Sequence, residues 1–125
     1  MSMHRWYESK SERFEVECRL LRDRYPEGKV VKLDGLIRFW IGVRGRDALY
    51  QCELVYPERF PYQHIVARIR SPQLRSSPHR YGADKPCLHH PEDVGPETTG
   101  VVFVGWLKEW IRRYERYQNT SHWED

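Results

Sequence analysis

Between residues 77 and 90 the chain reads Ser77-Pro78-His79-Arg80-Tyr81-Gly82-Ala83-Asp84-Lys85-Pro86-Cys87-Leu88-His89-His90. One thiol, three imidazoles and two cationic side chains fall within fourteen positions. A thiolate is an intrinsically strong nucleophile, although an unperturbed thiol is only a few per cent ionised near neutrality. Cationic neighbours raise the ionised fraction, and Arg80, Lys85, His79, His89 and His90 are near in sequence. The chemistry that suits this set is nucleophilic catalysis through Cys87. His79 is a further candidate catalytic residue. His89 and His90 are candidate supporting residues. Glu92 and Asp93 read as turn-capping carboxylates.

Cys87, His89, His90, His79 and His64 also raise a metal reading, since zinc sites use Cys and His. Adjacent histidines rarely ligate one ion together, and no second ligand pair has finger spacing. Pro86-Cys87-x-x-His90 matches only half of the zinc-deaminase signature, because the His-x-Glu half is absent. The expectation is no metal and no cofactor. No Gly-rich phosphate loop is present, so any ATP-dependent activation belongs to another protein.

The elements that would position this stretch are legible on both sides. Phe14, Cys18, Leu21 and Tyr25 follow helical spacing, which makes Cys18 a small core residue on a first helix ended by Pro26 and Gly28. Val30 and Val31 start a short strand, and Asp34-Gly35 is a hairpin turn signal. Ile37, Phe39, Ile41 and Val43 alternate along a second strand. Tyr50, Cys52, Leu54 and Tyr56 alternate along a third, which makes Cys52 structural, and Ile65, Ala67 and Ile69 form one face of a fourth. Residues 71–100 have little periodicity and are punctuated by Pro and Gly; so long a stretch within a domain is commonly functional. Phe103, Trp106, Leu107, Trp110, Ile111 and Tyr114 then mark an amphipathic helix. The expected class is α+β: an N-terminal helix, a four-stranded antiparallel meander, a long active-site loop and a C-terminal helix.

The length of 125 residues predicts one domain over residues 1–125. Aromatic residues make up 14% of the chain and supply core material, while the 31% charged residues mix both signs. A net charge of +3 without a Lys/Arg run points to a solvated surface and not to nucleic acid. Cys18, Cys52 and Cys87 are odd in number and unpaired in spacing, which fits a reducing compartment. With no apolar signal core or membrane-length segment, the expectation is a cytoplasmic protein without membrane contact.

The order of elements and the loop together resemble the ubiquitin-conjugating enzymes. That family's loop reads His-Pro-Asn, seven residues, then Cys-Leu; here Ser77-Pro78-His79 takes the first place and Cys87-Leu88 follows at the same spacing. The family's Tyr-Pro-Phe-x-Pro-Pro element is degraded to Phe60-Pro61-Tyr62-Gln63-His64, and its Trp downstream of the cysteine has no counterpart near Gly95. Cys87-Leu88-His89-His90-Pro91-Glu92-Asp93, the run Trp106 to Tyr114-Glu115, and Thr120 to Trp123 are similar to the compact bacterial branch found in antiphage operons that signal with cyclic oligonucleotides, in the short type II arrangement.

The resemblance implies a minimal ubiquitin-conjugating fold. It implies a transferase that carries a protein C-terminus as a thioester on Cys87 and passes it to an amine. His79 stands at the family's oxyanion position, where an imidazole N–H can donate to the developing oxyanion, a contact typically worth ~100- to 1,000-fold in rate, or can instead take a proton from the incoming amine; both roles stay open. The implied partners are a ubiquitin-like protein or the C-terminus of the cyclic-oligonucleotide synthase, and a separate activating enzyme. In the family the first helix contacts the activating enzyme, which makes Arg13, Arg19, Arg22 and Arg24 a candidate surface. The competing implication is a non-catalytic protein-binding module of the same fold.

Overall fold

The computed structural model describes residues 4–124. Period-2 burial sets the sheet. Ile37, Phe39, Ile41 and Val43 on β2 (Leu36–Arg44) and Tyr50, Cys52, Leu54 and Tyr56 on β3 (Leu49–Tyr56) are all at most 5% exposed. Side chains that alternate in this way bury one sheet face and leave the other to solvent. With β1 (Lys29–Leu33) and β4 (Val66–Ser71) they form an antiparallel meander in the order β1-β2-β3-β4. Asp34 and Gly35 both take positive φ, 55° and 74°, in the β1–β2 turn. That is the two-residue hairpin geometry for which Asp-Gly is suited.

The N-terminal region holds a short helix, α1 (Trp6–Ser9), before the expected one, α2 (Ser11–Arg24). Trp6 is buried and stacks on Tyr56 at 5.6 Å. Leu21 and Glu17 are the buried residues of α2, whereas Cys18 is only half-buried. The expectation of Cys18 as a core residue is thereby corrected. The helix is rolled so that Glu17 faces inward, because a hydrogen-bonded carboxylate is needed there. Glu17 accepts from the Tyr56 hydroxyl (2.6 Å), the Gly100 N–H (2.8 Å) and Arg13 Nε (3.1 Å). Arg13 also donates to the carbonyls of Pro96 and Thr98. It is therefore a buttress of the fold, and the expected outer arginine surface reduces to the exposed Arg19, Arg22 and Arg24.

The C-terminal helix, α3 (Gly100–Thr120), lies on the buried face of the sheet. Phe103, Val104, Leu107 and Ile111 are at most 1% exposed, and full burial of such a side chain contributes about 1.5–3 kcal/mol. Its first turn has no side-chain cap; the Glu17 carboxylate takes the Gly100 N–H instead. A negative charge at a helix N-terminus is favourable. A Cβ at position 100 would overlap the Tyr56 hydroxyl, which is why the helix begins on glycine. Further along α3, buried Glu115 accepts from the backbone N–H groups of Arg46 and Asp47 and from the Tyr50 hydroxyl. The helix is thus fixed at both ends relative to the sheet. No helix among the described residues is long and apolar enough to cross a membrane.

Candidate functional site

Cys87 lies on a small hairpin of its own. The Cys87 N–H donates to the His79 carbonyl (2.8 Å), Arg80 and Pro86 form a bridge, and the Tyr81 N–H donates to the Lys85 carbonyl (2.8 Å). Residues 79 and 87, 80 and 86, and 81 and 85 therefore face one another, with Gly82, Ala83 and Asp84 at the tip. This pairing is the physical content of the spacing between His79 and Cys87. His79 enters it with φ of 59°, a left-handed conformation costly for a non-glycine residue.

The hairpin is anchored to both neighbouring layers. On the sheet side, the Ile69 N–H donates to the Asp84 carbonyl (2.8 Å), and Arg68 pairs with the Asp84 carboxylate (3.0 Å). On the helix side, Trp110 Nε1 donates to the His79 carbonyl (2.9 Å). The Tyr114 hydroxyl accepts from the Arg75 N–H, and Gln118 donates to the Ser76 carbonyl. Pro86 is buried, and Leu88 packs against the core. The thiol is therefore half-exposed on a rigid support.

The side chain hydrogen-bonded to the sulfur is one that residue type and spacing did not single out. The Tyr81 hydroxyl is 3.4 Å from Cys87 Sγ, and the His89 carbonyl oxygen is 3.8 Å away. Tyr81 is 69% exposed. Its hydrogen bond with Cys87 raises the phenol above its ordinary value, with partial burial adding to the effect. In this contact the Cys87 thiol donates to the Tyr81 oxygen. The hairpin pairing supplied the missed signal. Tyr81 opposes Lys85, and Cys87 is two residues beyond Lys85 on the same side, a diagonal that long side chains span.

The structure brings all four sequence-predicted residues to one place. Cys87, His79, His89 and His90 line a cleft of about 330 Å³ between the hairpin and α3. Their roles in the geometry differ. The His79 ring lies on Trp123, centroids 5.1 Å apart, while its carbonyl holds the Cys87 and Trp110 N–H groups. His89 Nδ1 is 3.1 Å from the His90 carbonyl, and its ring packs against His64 (4.9 Å), Trp106 (5.4 Å) and Phe103 (5.6 Å). The His90 N–H donates to Asp93, the capping contact of the 3-10 turn Pro91–Asp93. Among the described residues no three His, Cys, Asp or Glu side chains converge as metal ligands.

Trp123, named in the sequence only within the run Thr120 to Trp123, is the second residue given no place at the site there. It follows α3, where Ser121 reverses the chain at φ of 60°. Glu124 then pairs with Arg112 and Arg116, which folds the segment back onto the helix. Its position beyond the periodic part of α3 hid its contact with the cleft.

Two other concavities bear on the site. An apolar groove of about 380 Å³, lined by Ile65, Ala67, Pro86, Leu88 and Phe103 among others, flanks the hairpin on its β4 side. A cleft of about 420 Å³ between the β2–β3 hairpin and α3 is lined by neither Cys87 nor any of the histidines.

No curated protein and no solved structure matches the chain. A family model described as Type II CBASS E2 protein does match it, over residues 17–125, a span that takes in the meander, the Cys87 hairpin, α3 and the returning Trp123. The chain belongs to this family of ubiquitin-conjugating-like proteins of antiphage CBASS operons.

Proposed function

We propose that this protein is a thioester carrier, in which Cys87 accepts a protein C-terminus and passes it to an amine. The observation that carries the reading is the position of Cys87. Its sulfur is half-exposed at a cleft, on a hairpin tied to both sheet and helix, with the Tyr81 hydroxyl 3.4 Å away. Loading forms a carbonyl carbon–sulfur bond and expels the activating group. Transfer forms a carbon–nitrogen bond, breaks the carbon–sulfur bond, and returns Cys87 as a thiol. Each step passes through a tetrahedral oxyanion, and preorganised donors supply much of the stabilisation in such sites.

In this reading Tyr81 donates to the thiolate as it forms and departs. His79, at the cleft mouth, acts on the oxyanion or the incoming amine. His89 and His90 support the cleft wall. The acyl donor is a ubiquitin-like protein or the C-terminus of the cyclic-oligonucleotide synthase, activated by a separate enzyme in the cytoplasm, and residues 1–125 act as one unit.

The test is to purify the tagged protein from cells that carry its neighbouring genes and to compare gels with and without reducing agent. A higher-mass species that a thiol reagent collapses supports the carrier. A protein recovered only as free chain or in noncovalent complexes, with every candidate donor present, supports a docking module instead.

A further inference from the structure

Past the end of α3 the chain reverses over the cleft beside Cys87. Ser121 takes the left-handed conformation, and its N–H donates to the Tyr117 carbonyl (2.7 Å). The His122 N–H donates to the Thr120 hydroxyl (3.2 Å). These bonds send residues 121–124 back along the helix, so that Trp123 lines the cleft. Its indole lies against three rings: His79 at 5.1 Å, Trp110 at 5.7 Å and Tyr117 at 6.3 Å.

The side-chain contacts that hold this segment down are weak in kind. Aromatic pairs prefer offset-stacked or edge-to-face arrangements. The plane of Trp123 is instead tilted against its three neighbours, by 40°, 54° and 54°. Trp110 differs: it stacks on Tyr114 at 11° and donates to the His79 carbonyl, so it stays when Trp123 moves. Glu124 tethers the segment through Arg112 (3.1 Å) and Arg116 (2.5 Å), whose side chains are 50% and 58% exposed. Exposed ion pairs of this kind contribute little and are screened by salt. Arg112 is also held by Glu109 (2.6 Å), so it keeps a carboxylate partner when Glu124 leaves.

We propose that residues 121–124 are a latch on the Cys87 cleft. With Glu124 on Arg112 and Arg116, Trp123 narrows the mouth of the cleft and pins the His79 ring. With Glu124 released, the segment turns about Ser121 and the indole leaves His79. The His79 ring is then free to turn, and the thiol admits a bulky reactant. The latch governs access to the sulfur and not the chemistry that follows, so it holds whatever Cys87 carries. Small reactants pass it in either state, because the thiol is already half-exposed.

The experiment labels Cys87 with two neutral maleimides of unlike size, N-ethylmaleimide and N-(1-pyrenyl)maleimide, and follows each rate by peptide mass spectrometry. The pyrenyl rate should rise about fivefold in Glu124→Gln, which loses both ion pairs. It should rise about tenfold in Trp123→Ala, which loses the indole. The N-ethylmaleimide rate should move less than about twofold in either variant. Raising the salt from ~0.05 M to ~0.5 M should bring the wild-type pyrenyl rate up to that of Glu124→Gln and leave the variant's own rate unchanged. A thermal melt accompanies each variant, and Glu124→Gln decides the question if Trp123→Ala disturbs the fold. A pyrenyl rate in Glu124→Gln equal to that of the wild type, or a rise shared equally by both maleimides, overturns the proposal. So does a salt response that Glu124→Gln retains in full. No acyl donor is used, so the outcome is separate from the test of the carrier reading.

Discussion

The Tyr81 hydroxyl stands 3.4 Å from the Cys87 sulfur, across the short ladder that pairs His79 with Cys87 and Tyr81 with Lys85. The phenol is mostly solvent-exposed and makes no other side-chain hydrogen bond among the described residues. Its position is therefore not explained by packing. A hydrogen bond to a charged group contributes ~1.5–3 kcal/mol, with exposed contacts at the low end. Tyr81→Phe should slow both loading and discharge of Cys87 about tenfold. The melting temperature should barely move, since exposed substitutions usually stay within ~0.5 kcal/mol. Single-turnover rates beside a thermal melt check both halves; loading and discharge at wild-type rates would remove Tyr81 from the chemistry.

The three thiols should separate by rate under a mild alkylating reagent. Burial pushes Cys52 up to about 12, so almost no thiolate is present at neutral pH, and the side chain is 3% exposed. Burial also raises Cys18, with the Arg22 charge opposing it, and its half-exposed position admits the reagent. The expected order is Cys87 first, Cys18 later and Cys52 last, read by peptide mass spectrometry over time. Cys18 labelled ahead of Cys87 would contradict the assignment.

His79 supplies two separable things. Its carbonyl holds the hairpin through the Cys87 and Trp110 N–H groups, and its ring lies on Trp123. His79→Ala keeps the carbonyl and removes the ring. It should slow transfer to an amine by more than about tenfold, with a smaller effect on loading. His79→Asn should recover part of that rate, because Asn tolerates the left-handed backbone and retains an N–H donor. Equal losses in transfer and in thermal stability would make His79 a structural residue.

Much of this fold is written in periodicity. The alternating rows on β2 and β3, the Asp34-Gly35 turn and the stripe on α3 each state their own structure, because water sorts apolar side chains in regular elements. The same rule conceals Glu17, Glu53 and Glu115, which are buried although charged residues are expected outside. Each is paid for by donors distant in sequence, such as Tyr56 and Gly100 for Glu17. The spacing of His79 and Cys87 was legible, and the hairpin register gives it a physical form. The contact of Tyr81 with Cys87 and the place of Trp123 at the cleft were not, because one depends on a ladder inside an aperiodic loop and the other on a reversal held by Glu124.

The hidden pairing of Glu17 has a consequence for stability. Glu17→Ala would leave the Tyr56 hydroxyl and the Gly100 N–H buried without a partner and would free Arg13. Breaking such a buried group costs about 3–5 kcal/mol. Denaturant unfolding should show a loss of that order and weaker protection of the first turn of α3 in hydrogen exchange. A loss below ~1 kcal/mol, the scale of an ordinary surface change, would mean that these groups find other partners.

The central claim is that Cys87 bears the transferred chain. It is tested most directly by intact-mass and peptide mass spectrometry of the wild type, Cys87→Ala and Cys87→Lys, each expressed with the neighbouring genes. The wild type should carry a partner's C-terminus on Cys87 that thiols remove. Cys87→Ala should fold and carry nothing, and Cys87→Lys should hold the same C-terminus as an amide that thiols leave intact. A Cys87→Ala protein that still yields the wild-type conjugates would contradict the account.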